Sequence, residues 1–342
     1  MGSFVVGITD SFFDATGEPN LSALRGDWLG LPADFKVIPV PNGTTGNVEP
    51  ESLRGLDAFI MGGGKFDAYS LGGNDRLLGV FRWGVGYDTV NLDDCAVARV
   101  VAVNAPEGVK KAMAHTAISL VLALAHQIPA QDRFVRSGES WASKSKYLGP
   151  GLVGKTLGVV GLGNIGREIV RIAEALDCTI LGYDPYAQVD NPNLHRVELD
   201  ELMRKSDFII IQCALTPETT GLISAERLAL MKPSAYLVNT ARGAVVDEPA
   251  LIAALQNRVI AGAGLDVFAK EPCPADNPLL QMNNVIVAPH SLGWTDYFAL
   301  TTAKSVADGI LATYNGEMPV NTVNRRQIEA AGVLPRLRHR KG

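Results

Sequence analysis

Cysteine is scarce in this chain: four residues, Cys95, Cys178, Cys213 and Cys273, among 342. They lie far apart, with none of the close pairs that build zinc sites or disulfide frameworks. They read as reduced thiols of a cytoplasmic protein with no bound metal. Positive charge is also short. Lys and Arg number 31 against 36 Asp and Glu, a formal net charge of −5. That argues against nonspecific nucleic-acid binding, which needs a basic face. The basic run from Arg336 to Lys341 reads as a solvated tail. Long apolar runs are missing too. The longest, about Ala117 to Ala125, is roughly half of what crosses a bilayer, so no membrane partner is expected. The start, MGSFVVGITDSFF, lacks the cationic stretch and small-residue cleavage site of a signal peptide.

What is present points to a folded, two-domain α/β protein. The hydrophobic fraction of 47% and charged fraction of 20% are ordinary globular values, and the length suits about two domains. In the N-terminal third, FVVGIT (4–9), FKVIPV (35–40), DAFIMGGG (57–64) and LLGVFRWGVG (77–86) read as strands ending in polar or glycine-rich loops. Glu107 to Ile128 reads as one long apolar helix broken at Pro129. Further strands follow at 157–160, 179–184, 207–213, 235–240, 260–267 and 284–290, mostly separated by helical stretches. Strands alternating with helices predict parallel sheets. A last helix from about Tyr297 to Tyr314 could carry the chain back to the first domain.

One turn carries a recognisable chemistry. GLGNIG places Gly161, Gly163 and Gly166 in G-x-G-x-x-G spacing, after a buried-type strand and before residues at helical spacing. The first glycine permits the tight turn, the second lets a pyrophosphate approach, and the third lets helix and strand pack closely. The helix start, with Asn164 and Ile165, offers N–H groups and a positive dipole end to phosphates. Asp184 ends the next strand, near the ~20-residue offset at which a carboxylate meets a ribose 2′-OH. It would repel the 2′-phosphate of NADP, so NAD is the expected cofactor; Arg167, beside the turn, could soften that preference.

Polar residues follow the later strands. LVNTARG (237–243) runs from an apolar strand straight into Arg242. An arginine is always charged and costly to bury alone, so either it reaches water or a planar anion waits for it. Asp266 and Glu271 lie in GLDVFAKEP, and His290 follows NVIVAP. In a doubly wound sheet ligands bind beyond the carboxyl ends of strands, where these residues can converge.

With these pieces the chain resembles the D-isomer-specific 2-hydroxyacid dehydrogenases. The matching stretches are GVGYD (84–88), VGKTLGVVGLGNIGRE (153–168), YDPY (183–186), LTPETTGLI (215–223), VNTARGAVVDEPAL (238–251), GLDVFAKEP (264–272) and APHSLGWT (288–295), in the family's order. The resemblance implies two doubly wound parallel-sheet domains. A Rossmann NAD domain, 107–297, would be inserted in a discontinuous, flavodoxin-like substrate domain, 1–106 plus 298–342, with a cleft between them. It implies a homodimer and reversible hydride transfer between NAD(H) and a small D-2-hydroxy acid or its 2-oxo acid. Arg242 would hold the carboxylate and carbonyl oxygens. His290 would move the proton, and Glu271 would orient its ring and favour the imidazolium. Asp266 would either support the catalytic residues from behind or sit beside the nicotinamide. Cys213, Thr219, Thr240, Ala241 and Gly293 would also line the cofactor. Gly63, Gly64, Val85 and Gly86 would bind the substrate carboxylate through backbone N–H groups.

Some positions depart from the family's pattern. His115 stands where an acid is common, and Ala214 where proline is usual. MGGGKF is an uncommon loop, in which Lys65 could meet a second anionic group. Trp294 and Tyr297 are bulky, and Trp141 lies where the family builds a dimer arm. Two rival functions share the fold: an NAD-sensing interaction protein, and a dehydrogenase of phosphite or another small anion.

Overall fold

The computed structural model describes residues 3–13, 27–41 and 46–332; the basic tail lies outside them. The chain divides into two compact units, Met1–Val109 with Trp294–Gly342, and Lys110–Gly293.

The first unit is built on five parallel strands: β1 (Phe4–Thr9), β2 (Phe35–Val40), β3 (Ala58–Met61), β4 (Gly79–Arg82) and β5 (Val101–Val103). Their order, β2-β1-β3-β4-β5, is that of flavodoxin-like sheets. Phe59, Phe66, Leu53, Leu77 and Val80 are buried in its core. The strand expected over 77–86 is only Gly79–Arg82, because Gly84 takes φ +142 and turns the chain into a loop.

The second unit holds seven parallel strands: β6 (Thr156–Val160), β7 (Thr179–Tyr183), β8 (Leu194–Arg196), β9 (Phe208–Ile211), β10 (Tyr236–Asn239), β11 (Gly262–Leu265) and β12 (Val285–Val287). The order β12-β11-β10-β9-β6-β7-β8 is the doubly wound nucleotide-binding arrangement. Both faces are buried, which explains the continuous apolar runs. Ile209, Ile211 and Leu237 pack into one core, while Phe208, Ile210 and Val238, alternating with them along the strands, pack into another.

The expected helix from Glu107 to Ile128 is two helices, Pro106–Ala125 and Ile128–Ser137. Gln127 breaks the run by adopting φ +50. Pro129 then sits in the first turn of the second helix, where a missing N–H costs nothing. It opens a helix instead of closing one. Pro106–Ala125 is long and apolar enough to span a membrane by length and composition, but 61% of its most apolar window is buried within the protein.

Candidate active site

The glycine turn after β6 is shaped by close approaches. Gly161 has φ +99, and a Cβ there would lie 2.6 Å from Cys213 N. A Cβ on Gly166 would lie 2.0 Å from the Gly161 oxygen, so the helix Asn164–Ala173 can seat on the turn only without one. Gly163 faces open space and is exposed. This is a cradle a phosphate can enter, above helix N–H groups, and it fits a dinucleotide.

Asp184 follows β7 and closes the same region. Its Oδ2 accepts the Leu162 N–H at 2.8 Å, and its Oδ1 accepts the N–H groups of Tyr186 and Ala187 at 2.9 and 2.8 Å. Burial pushes this carboxyl up, but the three N–H bonds and the nearby Arg196 outweigh it and hold it below the usual range. Arg167, on the first helical turn, donates from Nε to the Leu162 oxygen at 2.9 Å. Cys213, after β9, is pushed up to about 11 chiefly by burial and stays a neutral thiol. The Thr219 hydroxyl folds the following loop, donating to the Ala214 oxygen at 2.7 Å. Buried Thr240 donates to Gln212 Oε1 at 2.7 Å, tying the end of β10 to that of β9.

The polar residues of the later strands form one connected set within the second unit. His290 Nδ1 lies 2.8 Å from Glu271 Oε2, and the other oxygen of Glu271 accepts the Phe268 N–H at 3.0 Å. Arg242 lies near enough for its charge to act on Glu271. It donates from Nη1 to the Ala241 oxygen at 2.8 Å, and its backbone oxygen accepts from Asn239 Nδ2 at 2.9 Å. Asp266, buried just past β11, accepts the N–H groups of Ser291 and Leu292 at 3.1 and 3.3 Å, fixing the chain after His290. His290 itself sits at φ +57, a left-handed conformation rare outside glycine. Burial raises the Asp266 carboxyl, and the two N–H bonds and the His290 charge offset it only in part.

Backbone contact locks the two halves of this set together. A Cβ on Gly243 would lie 1.9 Å from the Phe268 carbonyl carbon, so the segment after Arg242 packs directly on the loop that bears Glu271. Glu248 braces the same loop, accepting from Ala269 N at 2.8 Å and Asn277 Nδ2 at 2.9 Å.

Two comparisons with known proteins fit this arrangement. Residues 118–291 match the family described as "D-isomer specific 2-hydroxyacid dehydrogenase, NAD binding domain". A glyoxylate reductase of Korarchaeum cryptofilum is 37% identical over 286 residues, covering 82% of this chain and 86% of that protein. The chain belongs to the D-isomer-specific 2-hydroxyacid dehydrogenases. A D-3-phosphoglycerate dehydrogenase of Methanocaldococcus jannaschii is also 37% identical, over 310 residues; the chain spans 59% of its length. Among solved structures, an NADPH-dependent glyoxylate/hydroxypyruvate reductase from Sinorhizobium meliloti in complex with NADP and malonate shares the fold. Its TM-score is 0.79 at 25% identity, over 94% of this chain and 97% of that one. Like its family, the chain is an NAD-dependent oxidoreductase acting on CH–OH donors, and its seven-stranded unit is the NAD-binding domain.

In this dehydrogenase the glycine loops of the first unit have supports that sequence reasoning missed. Arg82, at the end of β4, donates from Nε to the Gly86 oxygen at 3.1 Å and from Nη1 to the Met61 oxygen at 3.2 Å. It thus ties the loop of Val85 and Gly86 to the root of the loop of Gly63 and Gly64. Asn104 donates to the Val85 oxygen at 2.9 Å. Asn239, Glu248 and Gln212 were missed likewise. Each acts on backbone or on another side chain, and nothing in local spacing marks them. Met113 lies where a Cβ on Gly293 would be, 2.5 Å away at Sδ. Lys65, His115, Trp141, Trp294 and Tyr297 are all exposed within their units.

Proposed function

We propose that the chain interconverts a small D-2-hydroxy acid and its 2-oxo acid, of the glyoxylate or hydroxypyruvate kind, using NAD(H). The observation that carries this is the 2.8 Å contact of His290 Nδ1 with Glu271, beside Arg242. When bound, NAD(H) would supply the hydride-transfer chemistry. Arg242 grips the carboxylate and carbonyl oxygens with its planar fork and draws electron density from the carbonyl. Because Nδ1 is engaged by Glu271, Nε2 is the nitrogen of His290 that gives a proton to the new alkoxide oxygen, and takes it back in oxidation. Asp266 keeps His290 in place through the backbone that follows it.

Gly161, Gly163, Asn164, Ile165 and Gly166 hold the pyrophosphate on this reading, and Asp184 the adenosine ribose. Cys213, Thr219, Thr240, Ala241, Asp266, His290 and Gly293 line the rest of the cofactor. Gly63, Gly64, Val85 and Gly86 offer N–H groups to the substrate carboxylate. The names of the relatives support a glyoxylate-like substrate. A panel of 2-oxo acids, with NADH oxidation followed by absorbance, tests this. Glyoxylate and hydroxypyruvate are expected to turn over with kcat/KM at or above ~10⁴ M⁻¹s⁻¹. Turnover of phosphite but of no 2-oxo acid would reject the proposal.

We also propose a cytoplasmic homodimer. The four cysteines are free, as a reducing compartment allows. Ile128, Val135, Trp141 and Leu148 expose an apolar strip along the helix Ile128–Ser137 and the segment after it, and such strips mark interfaces. Analytical ultracentrifugation should give twice the single-chain mass, with Trp141→Glu shifted toward monomer. A wild-type monomer at micromolar concentration would refute it.

A further inference from the structure

The site has a second charge at its adenosine end that the family assignment leaves unused. Arg196 closes β8, which pairs with β7 so that Arg196 stands opposite Gly182. Its Nη2 donates to the Asp184 backbone oxygen at 2.7 Å, and its Nη1 lies 3.5 Å from Gln188 Oε1. The guanidinium is exposed, and among the described residues it makes no ion pair. Its charge is nonetheless felt by the Asp184 carboxylate.

The carboxylate has little capacity left. It has about four lone-pair sites, and the N–H groups of Leu162, Tyr186 and Ala187 take three of them. One remains, enough for a single ribose hydroxyl. A 2′-phosphate brought to the same spot carries nearly two negative charges at pH 7. Asp184 opposes it, and Arg196 is the nearby cation able to make charge-assisted bonds to its oxygens.

We propose that Arg196 is a specificity-determining residue of the cofactor site, giving it a residual affinity for the 2′-phosphate of NADPH that Asp184 holds down. The inference rests on Asp184 as the ribose contact. Discrimination is then a balance between two charges on neighbouring strands, not exclusion by the carboxylate alone.

The test is fluorescence titration of the full chain with NADH and with NADPH, which needs no substrate. Wild type should bind NADH more tightly. Arg196→Gln should raise the ratio of the NADPH Kd to the NADH Kd about tenfold, the scale of one lost charge-assisted contact. Asp184→Asn should lower that ratio by about tenfold or more, and adding Arg196→Gln should raise it again. An unchanged ratio on Arg196→Gln, with both cofactors affected alike, would overturn the proposal. Because Asp184 anchors three N–H groups, Asp184→Asn can disturb the turn itself; the wild-type-background comparison decides the matter without it. If wild type binds neither cofactor, the cofactor reading fails and not merely the role of Arg196.

Discussion

Arg242→Ala is expected to lower kcat/KM for a 2-oxo acid about a thousandfold, while NADH still binds. The side chain is asked to make two charge-assisted bonds, one to a carboxylate and one to a carbonyl that becomes an alkoxide. At ~1.5–3 kcal/mol each, their loss costs about two to four orders of magnitude in rate. Arg242→Lys should recover only a small part, because an ammonium keeps the charge but not the fork. The nucleotide cradle lies after β6, whereas Arg242 follows β10, so NADH quenching of protein fluorescence should survive both substitutions. Steady-state kinetics on the purified variants, with folding verified by circular dichroism, decides it. Near-normal turnover by Arg242→Ala would remove this residue from the substrate site.

The second large effect concerns the imidazole. His290→Gln should lower kcat by about 10²–10⁴, the range of general acid–base catalysis. His290 occupies φ +57, a conformation asparagine tolerates better than most residues. His290→Asn therefore serves as a companion that separates lost chemistry from backbone strain. Near-normal kcat in both variants would contradict the assignment.

Glu271 makes a linked prediction. Burial pushes its carboxyl up, but the His290 hydrogen bond and charge, the Phe268 N–H and the Arg242 charge outweigh burial and leave it below its ordinary value of 4.5. A carboxyl depressed in the folded state favours folding fully above its unfolded value, and that contribution disappears as pH falls through the folded value. The Tm advantage of wild type over Glu271→Gln should hold from neutral pH down to about 4.5 and shrink below it. Asp266, raised by burial, works in the opposite sense. Thermal melts from pH 7 to pH 3 would reveal either trend.

Much of this protein is legible in its sequence because two-sided burial writes itself into composition. The runs FVVGIT and FKVIPV are β1 and β2 to the residue, and the glycine turn sits where its spacing says. Strands β5 and β8 escaped notice because three residues, VAV and LHR, carry no usable period. Pro129 misled for another reason. The same missing N–H that ends a helix also suits a helix's first turn, and only the left-handed Gln127 before it distinguishes the cases. In the site, reacting-type residues stand out by chemistry after a strand. Their supports do not. Arg82, Asn104, Asn239 and Glu248 look like ordinary surface polar residues until the fold brings remote carbonyls and N–H groups to them.

The contact of Gly243 with the Phe268 carbonyl has a consequence for altering this enzyme. Arg242 and Glu271 hang from main chains that touch at Gly243 and Phe268, so the spacing of their backbone anchors is set by polypeptide packing. Redesign for larger substrates should therefore leave residues 239–243 and 266–271 untouched.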